Sequence, residues 1–305
     1  PLGNNLQKNK KSALICAAYP LKIKRCKKCM HFQLSVAIRP ELLYARNYTY
    51  LSSIGKSFVS HLKKYADWAC KYLPLGKNSL VIDIGSNDGT CLKFFKANGC
   101  NVLGVDPATI PAEIANKNGI KTLNAFFDQR ISKKIIAEYG YADLITSHNA
   151  LAHVDNLQNV FENIYSLLKE DGFFIFEVGY FKSVLESGCF DTTYHEHLDY
   201  HHALPLSKYL LSLGFNIINI ETNNIQGGSL RFLTQKKSNP KILPKANKFL
   251  KSENLSVLYD INFLNNWNNK IMKSMQDLEV YLNEKFKSNY LIAGYGAPTK
   301  ASLLL

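Results

Sequence analysis

The sequence lacks several features that mark whole classes of protein. No apolar run approaches the roughly 20 residues that a membrane-spanning helix needs, and the chain does not begin with a basic segment followed by an apolar stretch. The seven cysteines form no regular framework, which argues against a secreted scaffold held by disulfides. We therefore expect no membrane association, a cytoplasmic location and mostly free thiols.

Clusters of arginine interleaved with aromatic residues are also missing. The formal net charge is +13, but the positive residues are mostly lysines scattered along the chain. This distribution does not favour nucleic acid as a partner. A basic surface is suited to attract a small anionic substrate, such as a nucleotide-linked metabolite. A compositional bias toward lysine and asparagine is the alternative explanation.

Hydrophobic periodicity divides the chain into helices and strands. Apolar residues recur at helical spacing over residues 57–73, and Pro74 and Gly76 end this segment. Short apolar runs, which alternate with helical segments, predict buried strands at residues 80–84, 101–105, 144–147 and 172–178. This alternation predicts a parallel sheet in an α/β fold. Two later runs predict an antiparallel hairpin at one edge of the sheet, at residues 216–221 and 229–235.

The two ends of the sequence differ from this central pattern. Residues 1–50 show no sustained periodicity and predict a small accessory unit. After Pro240 the pattern is helical and polar as far as Lys287, and residues 290–305 then predict a strand, a turn and the beginning of a helix. Because a domain seldom stops at such a point, we expect the sequence to be a fragment of a longer chain.

The strand at residues 80–84 runs into a loop punctuated by glycine. Gly85 and Gly89 flank this loop, and an amphipathic segment follows it. Glycines in a strand-to-helix loop allow close approach of a ligand at the carboxyl edge of the sheet. Asp106 ends the next predicted strand, where a carboxylate is suited to bind both hydroxyls of a ribose. The loop therefore predicts a ligand that contains adenosine.

The spacing and charge of the loop distinguish between adenosine-containing ligands. Dinucleotide enzymes usually show G-x-G-x-x-G, because a pyrophosphate lies against the helix N-terminus, whereas here the spacing is Gly85-x-x-x-Gly89. Asp83 and Asp88 place negative charge near any phosphate, while a sulfonium and an amino group tolerate or prefer carboxylates. We predict S-adenosylmethionine as the cofactor. A tight turn that binds no ligand is the alternative.

Three further segments narrow the prediction. Residues 147–155 are SHNALAHVD, residues 193–198 are TYHEHL and residues 294–300 are GYGAPTK. Together with the loop they resemble the sugar C-methyltransferases over nearly the whole chain. The resemblance implies a class I methyltransferase fold, in which a Rossmann-like sheet carries helices on both faces. It also implies three parts: a partial zinc-binding N-terminal domain, a cofactor-binding domain and a partial C-terminal α/β domain, which we place at residues 1–50, 51–236 and 237–305.

The resemblance also implies a reaction and its residues. The family methylates a carbon, usually C3, of a nucleotide-linked 4-keto-deoxysugar, through a base that removes the proton beside the ketone, an enolate and in-line attack on the cofactor methyl. The resemblance assigns the base to His197, and an imidazole with an ordinary pKa of about 6.5 is suited to accept a proton at neutral pH. It also places four residues in the active site, where donors hold the keto-sugar and stabilise an oxyanion. These residues are Tyr48, His153, Tyr194 and Glu196.

The resemblance further implies a cofactor set and a metal site. The residues that we expect to bind the cofactor are Asp83, Gly85, Asn87, Gly89, Asp106, Phe127 and Asn149. The zinc site of the family takes two C-x-x-C pairs, and the sequence holds only the second pair, Cys26 and Cys29. Because two thiolates do not complete a tetrahedral site, we expect structural zinc only if further upstream cysteines are present. Gln226 stands where the family pattern leads us to expect histidine, and its role stays open.

Several alternatives remain at this stage. His197 and His201 stand at i and i+4, so on a helix they would face one metal with Glu196 nearby, although H-E-x-x-H is absent. Tyr48 and Tyr50 lie in an aromatic-rich segment, in which core or interface packing competes with an active-site role. For the whole chain, the alternatives are a methyltransferase with another small-molecule acceptor and a non-catalytic protein that binds the cofactor. The oligomeric state is unknown.

Overall fold

The computed structural model of the protein describes residue 2, residues 9–44, residue 48 and residues 50–295. Four short elements come first: α1 (Lys10–Leu14), β1 (Ile23–Arg25), β2 (Phe32–Leu34) and α2 (Pro40–Leu43). The chain then forms α3 (Lys56–Tyr72), β3 (Leu80–Ile84), α4 (Thr90–Ala97), β4 (Asn101–Asp106), α5 (Thr109–Lys117), β5 (Thr122–Asn124), α6 (Gln129–Tyr139), β6 (Ala142–His148), α7 (Leu157–Leu167), β7 (Leu168–Gly179), α8 (Phe181–Ser187), β8 (Asp199–Tyr200), α9 (Ala203–Ser212), β9 (Phe215–Asn223), β10 (Ser229–Lys236), α10 (Pro244–Asn254) and α11 (Ile261–Lys287).

A seven-stranded sheet in the order β5-β4-β3-β6-β7-β10-β9 organises the chain. The strands β5, β4, β3, β6 and β7 pair in parallel, whereas β10 runs antiparallel to both β7 and β9. The predicted parallel sheet and the predicted antiparallel hairpin at its edge are both confirmed. The short strand β5 was not predicted, because its three residues carry no apolar run.

Helices cover both faces of this sheet, because successive residues of a strand point to opposite sides. On β3, Val81 packs into one core cluster with Tyr65 of α3 and Phe95 of α4. Its neighbour Ile82 packs into the other cluster with Phe161 of α7. The predicted helix at residues 57–73 is confirmed as α3, which buries the apolar face that its periodicity indicated. The parallel strands are therefore shielded on both sides, as such strands require.

A second, three-stranded sheet joins the beginning of the chain to its middle. β1 pairs with β2, and β2 pairs with β8 through Phe32 opposite Tyr200 and Gln33 opposite Asp199. The imidazole Nε2 of His31 lies 2.7 Å from Asp199 Oδ1 across this pairing. The N-terminal region is thus anchored immediately after the segment that contains the T-Y-H-E-H-L motif.

The helical C-terminal part is confirmed as α10 and α11. On α10, the carboxylate of Glu253 accepts hydrogen bonds from the backbone N–H groups of Ala203 and Leu204, at 2.8 and 2.7 Å. These bonds satisfy donors at the first turn of α9 that would otherwise lack partners. The 27-residue helix α11 contains no buried residue. No helix in the described part of the chain has the length and apolar character needed to cross a membrane.

The predicted strand at residues 290–295 is wrong. These residues form no regular element and are exposed. A strand needs a neighbouring strand to exchange backbone hydrogen bonds, and none of the described residues supplies one here. The turn and helix expected at residues 296–305, with most of the GYGAPTK segment, lie outside the described residues.

Candidate active site

A cavity of about 940 Å³ opens at the carboxyl ends of β3, β4 and β6. One part of its wall, called the loop end here, consists of Gly85, Asn87, Asp106, Phe127 and Asn149. The other part, called the histidine end, consists of Tyr44, Tyr48, His153, Tyr194, Glu196 and His197. A cavity of this size at this edge of an α/β sheet is suited to hold two small molecules side by side. All five residues predicted as catalytic line it.

The loop after β3 brings its backbone to the cavity because its residues adopt left-handed conformations. Gly85 has a φ of 75°, and a Cβ atom there would lie 2.3 Å from the Cβ of Ala150. Gly89 has a φ of 77° and packs instead on α5 and its following residues, since its Cβ would lie 2.9 Å from Ile120 Cγ2. Only glycine fits either position without strain. Gly85 lines the cavity, whereas Gly89 shapes the loop from behind.

Asp106 is the carboxylate at the centre of the loop end. Its Oδ2 accepts a hydrogen bond from the Asn87 N–H and its Oδ1 accepts one from the Ala108 N–H, each at 2.8 Å. Burial raises the pKa of this carboxyl group. Each carboxylate oxygen has a second lone pair, so the residue retains the capacity to accept bonds from two neighbouring hydroxyls. This geometry fits the role predicted from its position at the end of β4.

Asn87 and its neighbour Asp88 bind a chain segment with their side chains. Asn87 Oδ1 accepts from the Ser52 N–H at 2.8 Å, and its Nδ2 donates to the Tyr50 carbonyl at 3.0 Å. Asp88 Oδ2 accepts from the Ser53 N–H at 2.9 Å, and its Oδ1 accepts from Thr90 at the start of α4. Asp88 therefore acts as a structural anchor and does not line the cavity. Residues 50–53 are held against the loop by these bonds.

Phe127 and Asn149 complete the loop end. Phe127 is largely buried and presents an apolar surface to the cavity. Asn149 has a φ of 54°, and its N–H donates to the Glu177 carbonyl at 2.8 Å. Its side-chain Nδ2 is buried without a hydrogen-bond partner in the described chain. A buried donor that lines a cavity and lacks a partner fits a site for a polar ligand.

Beneath the loop lie three residues with potential metal-ligating atoms. Asp83 Oδ1, Cys91 Sγ and an imidazole nitrogen of His148 lie within 4.8 Å of one another, and they form the one such group of three among the described residues. Burial and the neighbouring Asp106 raise the pKa of Asp83, and burial lowers the pKa of His148 to about 4. Asp83 does not line the cavity, and its role in binding the cofactor stays a prediction.

A buried ion network supports the loop end from below. Glu177 on β7 accepts from His61 Nε2 and from Arg231 Nε, both at 2.6 Å, and Arg231 also bonds to Glu221 at 2.9 Å. Burial alone would raise the pKa of Glu177, but the bond from His61 and the charge on Arg231 lower it to about 2. The same residue holds Asn149 through its carbonyl, so the network connects directly to the cavity wall.

His197 is held in one tautomer at the histidine end. Its Nδ1 lies 2.9 Å from the Thr192 carbonyl oxygen, which only accepts, so Nδ1 carries the proton. Its Nε2 lies 3.0 Å from the Tyr194 hydroxyl, and the two ring centroids are 4.2 Å apart. A neutral His197 therefore presents Nε2 as a proton acceptor at the cavity wall.

A second histidine, His153, is bound beside it. The two imidazole centroids lie 5.0 Å apart. His153 Nδ1 donates to the Glu196 carbonyl at 2.7 Å, and the Tyr44 hydroxyl lies 2.9 Å from the same nitrogen. Burial lowers the pKa of His153, which favours the neutral ring. Tyr44 was not predicted, because nothing in its local sequence distinguishes it from other aromatic residues.

Tyr48 and Tyr50 both line the cavity. Tyr48 lies at the histidine end, where its ring centroid is 5.6 Å from that of Tyr44 and burial raises its pKa. Tyr50 is 46% exposed, and its hydroxyl accepts a hydrogen bond from Gln226 Nε2 at 3.2 Å. Gln226, the position whose role the sequence left open, therefore reaches across the mouth of the cavity.

The metal alternative for His197 and His201 is wrong. His197 lies in a turn and His201 directly follows β8, so no helix places the two rings on one face. Instead, His201 is buried with its centroid 5.5 Å from that of His31. A regular helix is prevented here because residues 199–200 extend to pair with β2.

Cys26 and Cys29 occupy the turn between β1 and β2. Hydrogen bonds from the backbone of Cys29 and Lys28 lower the pKa of the Cys26 thiol, whereas burial raises the pKa of Cys29. Backbone donors that favour a thiolate fit half of a structural metal site. No third ligand atom from the described residues lies with this pair.

Comparisons with known proteins agree with this geometry. Residues 58–220 match a family described as methyltransferase domain, and residues 224–305 match one described as C-methyltransferase C-terminal domain. The C-methyltransferase NovU of Streptomyces niveus is 29% identical over the whole of this chain, which covers 73% of that relative.

The chain is also similar to solved structures, among them two methyltransferases. One is an S-adenosylmethionine-dependent methyltransferase of Clostridium acetobutylicum ATCC 824, 17% identical over 59% of this chain and 92% of that one, with a TM-score of 0.47. The other is the magnesium protoporphyrin IX methyltransferase of Synechocystis PCC 6803, 16% identical over 59% of this chain and 79% of that one, with a TM-score of 0.43. Because the methyltransferase match covers more than half of the chain, this chain belongs to the methyltransferases that use S-adenosylmethionine, and it is similar to C-methyltransferases.

Proposed function

We propose that the protein methylates the carbon beside the ketone of a nucleotide-linked 4-keto-deoxysugar, with His197 as the base. The observation that carries this proposal is the fixed tautomer of His197. Its Nδ1 is committed to the Thr192 carbonyl, and its Nε2 faces the Tyr194 hydroxyl on the cavity wall. A histidine whose tautomer is fixed with the unprotonated Nε2 at the cavity wall is suited to remove a proton from a bound acceptor that takes the place of the Tyr194 hydroxyl at that nitrogen.

The loop end is suited to hold the cofactor. Gly85 allows close approach of the ligand to the backbone, Asp106 is placed to accept from the ribose hydroxyls, and Asn149 offers a buried amide donor. Phe127 supplies an apolar wall for a flat base. When bound, the cofactor supplies a methyl group on a positively charged sulfur, which makes that methyl electrophilic.

The histidine end is suited to activate the acceptor. His197 Nε2 takes the proton from the carbon beside the ketone, and the C–H electron pair forms an enolate. A bound cofactor would supply the methyl group to the enolate carbon and keep the sulfur electron pair, and His197 would hold the proton as the cation, so that charge balances. Tyr48 and Tyr194, whose pKa values burial raises, both remain protonated. Tyr48 can donate to the enolate oxygen, and the Tyr194 hydroxyl can turn to it once His197 Nε2 has taken the proton.

Two further features support an activated sugar as the acceptor. The formal charge of +13 favours attraction of an anionic nucleotide-linked substrate. The Cys26–Cys29 turn, which fits half of a structural zinc site, lies in the region that pairs with β8 beside the histidine end. Where further ligands complete this site, we propose that the structural metal stabilises the N-terminal region that packs beside the histidine end.

Solvent deuterium exchange tests this proposal without requiring methyl transfer. The protein is incubated in D2O with S-adenosylhomocysteine and a panel of nucleotide-linked 4-keto-6-deoxysugars, and deuterium is measured beside the ketone. We expect exchange with at least one sugar, and a rate about 10²–10⁴-fold lower in His197→Gln. Calorimetric binding of S-adenosylmethionine serves as the control and should be unchanged. Undiminished exchange in His197→Gln refutes the base assignment. Methyl transfer to an unrelated acceptor, and to none of the sugars, refutes the proposal that the acceptor is a nucleotide-linked sugar.

A further inference from the structure

The hydroxyl of Tyr44 lies at the junction of three chain segments. Tyr44 follows α2, His153 follows β6, and Glu196 lies in the turn before β8. The Tyr44 hydroxyl donates to the Glu196 carbonyl at 3.0 Å and lies 2.9 Å from His153 Nδ1. Tyr44 is 8% exposed. One buried hydroxyl therefore touches groups that come from both sides of the histidine end.

The direction of these hydrogen bonds follows from the chemistry of the groups. The Glu196 carbonyl has two lone pairs and accepts from both the Tyr44 hydroxyl and His153 Nδ1–H. Because the single proton of Tyr44 is committed to the carbonyl, its oxygen can only accept from His153. The proton of a neutral His153 is therefore held on Nδ1 by two acceptors.

These contacts hold the residues that the reaction uses. The Glu196 carbonyl belongs to the peptide bond that connects to His197, so a donor to this oxygen restrains the backbone of the base. The Tyr44 ring also packs edge-on against His153, with centroids 5.5 Å apart, and against Tyr48, with centroids 5.6 Å apart. Tyr44 thus contacts Tyr48, His153 and the backbone of Glu196 at this end.

We propose that Tyr44 is a positioning residue of the transferase, whose hydroxyl fixes the tautomer of His153 and the backbone that carries His197. The proposal deepens the proposed function and rests on it for its catalytic consequence. The structural part, the state of the His153 ring, does not depend on the identity of the acceptor. Tyr44 touches none of the loop-end residues through the contacts described above, so its effect separates from cofactor binding.

The variant Tyr44→Phe removes the hydroxyl and keeps the ring. We expect the rate of deuterium exchange per cofactor-binding site to fall about tenfold to a hundredfold, because small displacements of a catalytic group have effects of this size. KM for the sugar and the Kd for S-adenosylmethionine should each stay within about twofold, as for an interaction that acts on the transition state. Normalising to bound cofactor removes any contribution from unfolded protein.

The matched control is Tyr209→Phe. The Tyr209 hydroxyl is buried on α9 without a hydrogen-bond partner in the described chain, and this variant should exchange at the wild-type rate. A rate for Tyr44→Phe within about twofold of wild type overturns the proposal. So does a fall in rate that is matched by an equal loss of cofactor affinity.

A second measurement needs no substrate. Long-range 1H–15N spectra, with His153→Gln to assign the resonances, report which ring nitrogen of His153 carries the proton. We expect the Nδ1-protonated form alone in the wild type and a mixture of tautomers in Tyr44→Phe. An unchanged ring spectrum overturns the proposal. If no sugar exchanges with the wild type, the proposed function fails, while the spectra still decide the role of Tyr44.

Discussion

The two ends of the cavity are built in opposite ways. At the loop end, Gly85, Asn87 and Asp106 lie close in sequence and act largely through backbone conformation and backbone hydrogen bonds. At the histidine end, side chains from residues 44 to 197 meet through contacts between distant segments. The first kind of site is fixed by local geometry, and the second exists only when separate parts of the chain are docked. This division suits an enzyme whose loop end binds a cofactor that many enzymes share, while its histidine end binds an acceptor that differs between enzymes.

The largest effect that separates the two ends should come from Gly85→Ala. The left-handed φ and the 2.3 Å approach to Ala150 predict a loss of about 2–6 kcal/mol from strain and overpacking together. We expect a lower thermal unfolding midpoint and cofactor affinity at least about tenfold weaker, measured by calorimetry. The control Gly76→Ala should be silent, because its Cβ meets nothing within 4 Å. Normal cofactor binding in Gly85→Ala would show that the loop end tolerates backbone change.

Acid should weaken the loop end through Glu177. Its folded pKa of about 2 lies below the ordinary value of 4.5, so the ionised form stabilises the fold above pH 4.5 and this contribution is lost as pH falls toward 2. At about 1.4 kcal/mol per pKa unit, the loss is about 3 kcal/mol. Urea unfolding of Glu177→Gln should show lower stability at pH 7 and a flatter dependence on pH between 4.5 and 2.

The control for this prediction is Glu221→Gln. It removes the more exposed partner of Arg231, whose side chain is 40% exposed, and should cost no more than about 1 kcal/mol. Equal losses of stability in the two variants would mean that the burial of Glu177 does not determine how much it contributes to the free energy of unfolding.

The smallest effect should come from Gln226→Ala, which tests whether the mouth of the cavity belongs to the loop end. Loss of the 3.2 Å bond to Tyr50 removes about 0.5–1.5 kcal/mol at most, so cofactor affinity should weaken about twofold to tenfold. Tyr50→Phe removes the acceptor of the same bond and should give the same change. If both variants alter sugar KM and leave cofactor affinity intact, the contact belongs to the histidine end.

The loop end was largely predictable because its signals are local. The β3 run, its glycines and Asp106 are all visible within one strand-loop-helix unit, and the structure places Gly85, Asn87 and Asp106 together. Asp83 and Gly89 were assigned to the cofactor by the same pattern, but neither residue lines the cavity. A pattern indicates which residues the loop needs, but it does not separate those that face a ligand from those that shape the turn.

The histidine end was predictable only through family resemblance. Nothing in the local sequence shows that Tyr44 meets His153, since the two residues are 109 positions apart. The i, i+4 spacing of His197 and His201 suggested a helix, but pairing of β8 with β2 overrides that local pattern. Short strands such as β8, with two residues, form because a partner is present and carry no periodicity of their own.

The pairing of β2 with β8 has a consequence for how the protein is made. His31 and Asp199 are 168 residues apart, and chains are synthesised at about 5–20 residues per second, so β2 waits roughly 10–30 s for its partner to leave the ribosome. The strands β3, β4 and β6 emerge in the interval and can assemble with their local crossovers. The nascent protein therefore passes through a stage in which the cofactor loop exists while the acceptor side is still open.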